Sequence, residues 1–268
     1  MSRRTTLFVL ALLSATPAGA HPEIQDALDR LTTALAATPN EASLYLERGE
    51  LYARHEDWTS AEANYLRAAE LAPRLPRLAC ARGSLALARG QVSAARAFLD
   101  HAIALTPSDP TALILRARAL ARLGLTPDAL TDYTQAFGLL ATPSPELYLE
   151  RAALFASPAD ALRSLADAFV RLGPVMSLQL RALDLEISLR RFDDALSRVD
   201  LLTSTSERRE LWLKRRGDIL VSAGRQAEAR AAYVAAQTAI AALPAWLVAS
   251  PDMVRLSTEL TRLATRTP

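Results

Sequence analysis

The chain reads as an all-α protein built as an α-solenoid of helix hairpins, and three observations predict this. Half of its 268 residues are hydrophobic while only 6% are aromatic, with Ala, Leu and Arg abundant and few strand-favouring runs. A packing pattern of small and large residues recurs every 34 positions. Helix-starting prolines and helix-ending glycines fall at the boundaries that this pattern sets.

The pattern is clearest between Glu47 and Pro73. Small residues at Gly49, Ala61 and Ala68 let two backbones approach, and Tyr52 and Tyr65 fill the space between them. Moved on by 34, the same positions hold Gly83, Ala86, Ala95, Leu99, Ala102 and Pro107, and moved on again Ala117, Leu120, Ala129, Tyr133 and Ala136. Moved back, they hold Ala27, Leu31, Ala34 and Pro39, which predicts a half unit before the first full one. A fourth unit, with Ala152, Phe155, Ala161, Leu165 and Ala168, has a shortened turn, and a fifth, with Leu183, Glu186, Ala195, Val199 and Leu202, keeps the register but not the residue types. Gly217, Leu220, Ala229, Tyr233 and Ala236 form the sixth.

Punctuation agrees. Asp109-Pro110, Thr126-Pro127, Ser144-Pro145, Ser157-Pro158 and Ser250-Pro251 each place a capping side chain before a proline, which fits the first helical turn because its missing N–H would be unpaired there. Gly90, Gly124 and Gly224 end first helices, where a left-handed backbone costs glycine little. From Ser250 to Ala264, Met253, Leu256, Leu260 and Leu263 make one apolar stripe, which predicts a helix capping the end of the stack. The run Ile240–Ala249 reads as core beneath that cap.

The N-terminus sets the compartment. Arg3 and Arg4 precede the apolar run Leu7–Leu13, and Ala18-Gly19-Ala20 is small at the cleavage positions, so residues 1–20 read as a secretory signal peptide and the mature chain begins at His21. The apolar run is short against the roughly 20 residues that span a bilayer. The paired arginines also brush the twin-arginine export pattern, with Thr6 where that pattern wants a bulky apolar residue. No later segment is long and apolar enough to insert stably, so the expected location is periplasmic or secreted. A single lysine, Lys214, among thirty-one basic residues fits a GC-rich bacterial coding sequence.

Without Arg3 and Arg4, twenty-nine basic residues stand against twenty-nine acidic ones, and a neutral chain argues against nucleic acid as a partner. Cys80 is the only cysteine, which excludes an intramolecular disulfide and a cysteine-based metal cluster.

The 34-residue unit resembles the tetratricopeptide repeat, a helix pair with small residues near positions eight, twenty and twenty-seven. The resemblance implies a right-handed solenoid with about six units over residues 42–243, a half repeat over 21–41 and a capping segment over 244–268. It also implies a concave surface lined by positions two, five, nine, twelve and thirteen of each unit. Carried over residue by residue, position five holds Leu46, Cys80, Ile114, Leu149, Leu180 and Lys214, and position nine holds Glu50, Ser84, Arg118, Ala153, Asp184 and Asp218. The expected partner-binding groove is Leu46, Glu50, Cys80, Ile114, Arg118, Arg122, Leu149 and Leu180, taking an apolar segment of another protein of the cell envelope, with Arg118 and Arg122 meeting an acidic flank. Chaperone-binding members of the family grip a terminal carboxylate with lysine and asparagine; the corresponding positions here hold Leu46, Glu50 and Ala81, which disfavours that ligand.

Arg48, Arg82, Arg116, Arg151 and Arg216 share position seven, and this row is either an anion surface or a set of ties between helices, the second being favoured. Catalysis has little support: there is no phosphate loop and no histidine pair at metal spacing, and His21, His55 and His101 lie on different units. The expectation is a non-catalytic interaction scaffold with no cofactor. An exported enzyme or metal protein using the repeats as a platform is the alternative, and a free N-terminal His21 is its only thread.

Overall fold

The computed structural model describes residues 22–266, which form sixteen α-helices and no strand among the described residues. The expected cleavage site and His21 lie outside them. The helices fall into two compact units that divide between Leu139 and Leu140.

The first unit holds α1 (Pro22–Ala37), then the hairpins α2 (Ala42–Arg54) with α3 (Trp58–Leu71), α4 (Pro76–Ala88) with α5 (Val92–Leu105), and α6 (Pro110–Arg122) with α7 (Thr126–Leu139). The small positions explain the closeness of each pair. A Cβ placed on Gly49 would sit 2.5 Å from the ring of Tyr65, and one on Gly83 would sit 2.6 Å from Leu99. Ala61, Ala95 and Ala129 are completely buried. Turns follow the glycines, with Gly90 at φ 72° and Gly124 at φ 75°. Glu56, one repeat earlier, adopts φ 59° without being glycine. Caps differ in detail from the sequence pattern. Asp109 accepts from the Thr111 N–H at 2.9 Å, Thr126 lies inside α7 instead of before it, and Ser144 makes no side-chain cap bond.

The second unit is less regular. It runs α8 (Pro145–Ala153), α9 (Pro158–Ser164), α10 (Ala166–Leu172), α11 (Met176–Ser188), α12 (Phe192–Thr205), α13 (Arg209–Ser222), α14 (Gln226–Ala241), α15 (Ala245–Val248) and α16 (Pro251–Arg266). The unit expected to have a short turn also has a divided second helix, α9 and α10, parted at the buried Leu165. Leu165 donates to Leu162 three residues back, which tightens the backbone at the break. Gly217 repeats the close approach, with its hypothetical Cβ 2.3 Å from Tyr233. Met253, Leu256 and Leu260 of α16 join the same core as Tyr233 and Ile240, as the apolar stripe predicts. Leu243, Leu247 and Val248 pack against that core while Trp246 stays 75% exposed.

Candidate functional site

The arginine row is a structural ladder. In the first unit its reach is set by a fixed separation: sixteen residues forward lies the facing second helix of the same pair. Arg48 donates from Nε to Asn64 at 2.8 Å. Arg82 stacks on Phe98, 4.2 Å from the ring centroid. Arg116 makes a two-pronged bond to Asp132, both contacts 2.8 Å, and a third to Asp100 of the preceding second helix at 2.9 Å. In the second unit Arg151 donates to the backbone carbonyl of Ser164 at 2.6 Å, beside the break at Leu165. Arg216 takes only the backward contact, to Asp200 at 2.9 Å. These guanidiniums tie second helices to first helices and are not arrayed as an anion surface.

The fifth unit inverts the arrangement. Position seven is Ala182, and the arginine, Arg198, stands on the second helix where the other units keep its partner. It reaches back to Glu186 at 2.9 and 2.6 Å and to Gln179, both buried on α11, and lies 5.1 Å from the Phe169 ring centroid.

The concave side of the first unit carries a cavity of about 760 Å³. Its apolar walls are Trp58, Leu85 and Leu115, with Ala53, Ala81 and Ala88 between them. Its polar lining comes from the first helices: Glu50 and Arg54 on α2, Arg77, Cys80 and Ser84 on α4, and Asp109 and Thr111 at the start of α6. Arg77 donates to both carboxylate oxygens of Glu50, at 3.0 and 2.8 Å, which ties α4 to α2. A second cavity of about 460 Å³ adjoins Glu50 and Arg54 on the α1 side and is lined by Arg30, Leu31, Glu47 and Leu51. Burial, reinforced by the charges of Asp109 and Glu50, pushes the Cys80 thiol up to about 11, so it is neutral and a poor nucleophile at ordinary pH. Burial, with Glu50 adding to it, likewise raises the Tyr65 phenol.

The expected groove residues divide. Glu50 and Cys80 line the larger cavity. Leu46 does not face a groove: it is 2% exposed and packs with Tyr65, Leu78 and Leu85 in the core between repeats, a correction to the sequence reading. Ile114 and Arg118 are half-buried on α6, where the neighbouring Leu115 lines the cavity instead. Arg122 is engaged, its Nη1 donating to the Leu87 carbonyl near the end of α4 at 2.9 Å. In the second unit Leu149 is half-buried and Leu180 is 42% exposed, while Lys214 is held by Asp218 at 3.1 Å and by Glu259 of α16 at 3.3 Å. The apolar row is therefore not a uniform stripe. Arg54, Arg77 and Thr111 went unnamed although they occupy positions two and thirteen, which the repeat assigns to the concave face. Trp58, Leu85 and Leu115 carry no such signal, because they stand at none of those positions.

Helix hairpins in tandem, locked by small residues opposite large ones and offering a lined hollow, define a helical-repeat scaffold. Two family models match the chain: a tetratricopeptide repeat over residues 18–76 and 80–137, and a tetratricopeptide repeat-like domain over 155–248. The chain belongs to the tetratricopeptide repeat family, whose fold serves as a protein–protein interaction scaffold and is generally non-catalytic. Among solved structures, it is similar to a tetratricopeptide repeat protein from Parabacteroides merdae ATCC 43184, at 17% identity and TM-score 0.54, over 91% of this chain and 93% of that one. It is also similar to PilW, a widely conserved type IV pilus biogenesis factor, at 19% identity and TM-score 0.59, over 69% of this chain and 88% of that one. No curated protein matches the chain. No described helix is long and apolar enough to cross a membrane.

Proposed function

We propose that this protein is an exported, non-catalytic scaffold that holds a segment of a partner protein in the concave groove of its first unit. The observation that carries the reading is the cavity of about 760 Å³ across α2, α4 and α6, with apolar walls and a polar floor, a size and lining suited to several side chains of a docked segment. The sequence of residues 1–20, read as a secretory leader, supports export and an envelope partner.

Ser84 is exposed on the cavity wall, so Ser84→Trp fills the hollow without entering the core. Loss of partner recovery from the envelope fraction, with the thermal melt unchanged, is the expected outcome. Undiminished recovery of the same partner by Ser84→Trp contradicts the groove as the binding site. Export is checked separately by N-terminal sequencing of the mature protein, which should begin at His21; intact Met1 in a membrane fraction would overturn that part.

A further inference from the structure

The charges around the larger cavity are not evenly spent. Glu50 and Arg77 neutralise each other. Arg54, the last residue of α2, has no hydrogen bond or ion pair from its guanidinium to any described residue. Asp109, the N-cap of α6, accepts one backbone N–H from Thr111 but meets no cation among the described residues. One unspent positive charge and one unspent negative charge therefore border the same hollow, on the two outer helices, with α4 between them. Ser84 and Thr111 offer hydroxyls, Ala81, Leu85 and Ala88 line the hollow from α4 between the two charges, and Trp58 and Leu115 add apolar lining from α3 and α6.

A groove with one pole at each side and an apolar centre is complementary to a segment with the opposite order of charges. We propose that the docked segment is an extended stretch of the partner protein with a large apolar residue between an acidic residue, which pairs with Arg54, and a basic residue, which pairs with Asp109. Two interhelical steps of about 8–10 Å separate the outer helices. An extended chain advances about 3.3 Å per residue, so the two charges stand at least about five residues apart. The polarity also fixes the direction in which the segment lies, since a reversed segment places like charges together. This inference rests on the groove reading above and adds to it the chemistry of the partner.

The test selects binders from a phage-displayed library of random twelve-residue peptides on the purified mature chain, on Arg54→Gln and on Asp109→Asn. Asparagine caps a helix as well as aspartate does, so the second variant removes the charge and keeps the start of α6. The wild-type chain should enrich an acidic and a basic residue on either side of a large apolar one, in a constant order. Arg54→Gln should lower the acidic preference about two- to fivefold, the span of a partly exposed ion pair, and leave the basic one. Asp109→Asn should do the reverse. Identical charge preferences in all three proteins, or apolar binders without paired charges, overturn the inference while the groove stands. If the wild-type chain enriches no peptide at all, the groove reading falls with it.

Discussion

Arg116 in the first unit and Arg198 in the second join the helices of their pairs from opposite sides. Arg116 stands on the first helix and reaches a buried aspartate on the second; Arg198 stands on the second and reaches a buried glutamate and glutamine on the first. The repeat therefore does not require an arginine at position seven. In these two units one guanidinium lies between two helices opposite a buried acceptor that would otherwise be unpaired, and either helix supplies it, whereas Arg82 on Phe98 and Arg216 on the exposed Asp200 make their ties without such an acceptor.

The sharpest way to break that comparison is to remove the guanidinium where its acceptor is charged. Arg198→Ala leaves Glu186, only 3% exposed, without its cation, and should cost roughly 3–5 kcal/mol in denaturant unfolding. Arg48→Ala leaves a neutral acceptor, Asn64, which keeps its bond to the Ser60 carbonyl, and should cost about 1 kcal/mol. Equal losses in the two variants would mean that packing and not charge sets the role of the row.

The next largest effect separates rigid from yielding neighbours. Gly217→Ala meets the Tyr233 ring, which is anchored by its hydroxyl 3.0 Å from Asp218, and should lose roughly 1–3 kcal/mol. Gly83→Ala meets the Cγ of the buried Leu99 at 2.6 Å, a looser approach to a side chain with no hydrogen bond holding it, and should lose less. Calorimetry of both variants decides the order.

Smaller still is the turn. Glu56 and Arg190 take positive φ where three other repeats place glycine. Glu56→Gly should raise stability by about 1 kcal/mol, because glycine adopts this backbone without the steric penalty. No gain in the melting temperature would show that the turn tolerates glutamate freely.

Much of this was legible in the sequence because the repeat is a packing rule, and packing rules survive in residue size. The glycine-to-aromatic contacts, the turns at Gly90, Gly124 and Gly224 and the stripe of α16 all follow from spacing. The break at Leu165 was half visible, as a missing three residues, but nothing in that spacing says that the second helix divides there, with the Ser164 carbonyl taken by Arg151. The groove was least legible. Position within a repeat says which way a residue leans, and Leu46 leans into a neighbour that covers it, whereas Trp58 lines the cavity together with residues of α4 and α6, which its own repeat position does not announce.

The effect that is smallest at neutral pH is a titration. The Cys80 thiol, raised by burial to about 11 in the folded chain, ionises near its ordinary value of about 8.5 when unfolded. The unfolded chain therefore holds fewer protons between these values, so stability should fall as pH rises through that window. Cys80→Ser should flatten the fall, and slow alkylation of native Cys80 at pH 8 should accompany it. A wild-type profile identical to that of Cys80→Ser would contradict the neutral buried thiol.

The central claim, that the first unit's groove is where a partner segment sits, is tested most directly by placing the photo-reactive residue p-benzoylphenylalanine at the exposed Ala88, the last residue of α4, which borders the cavity, and, in a second strain, at the exposed Arg255 of α16. After irradiation of intact cells, the account predicts a discrete adduct from position 88 whose cross-linked peptide maps to one partner segment, and none of that adduct from position 255. The same adduct from both positions, or from 255 alone, would contradict it.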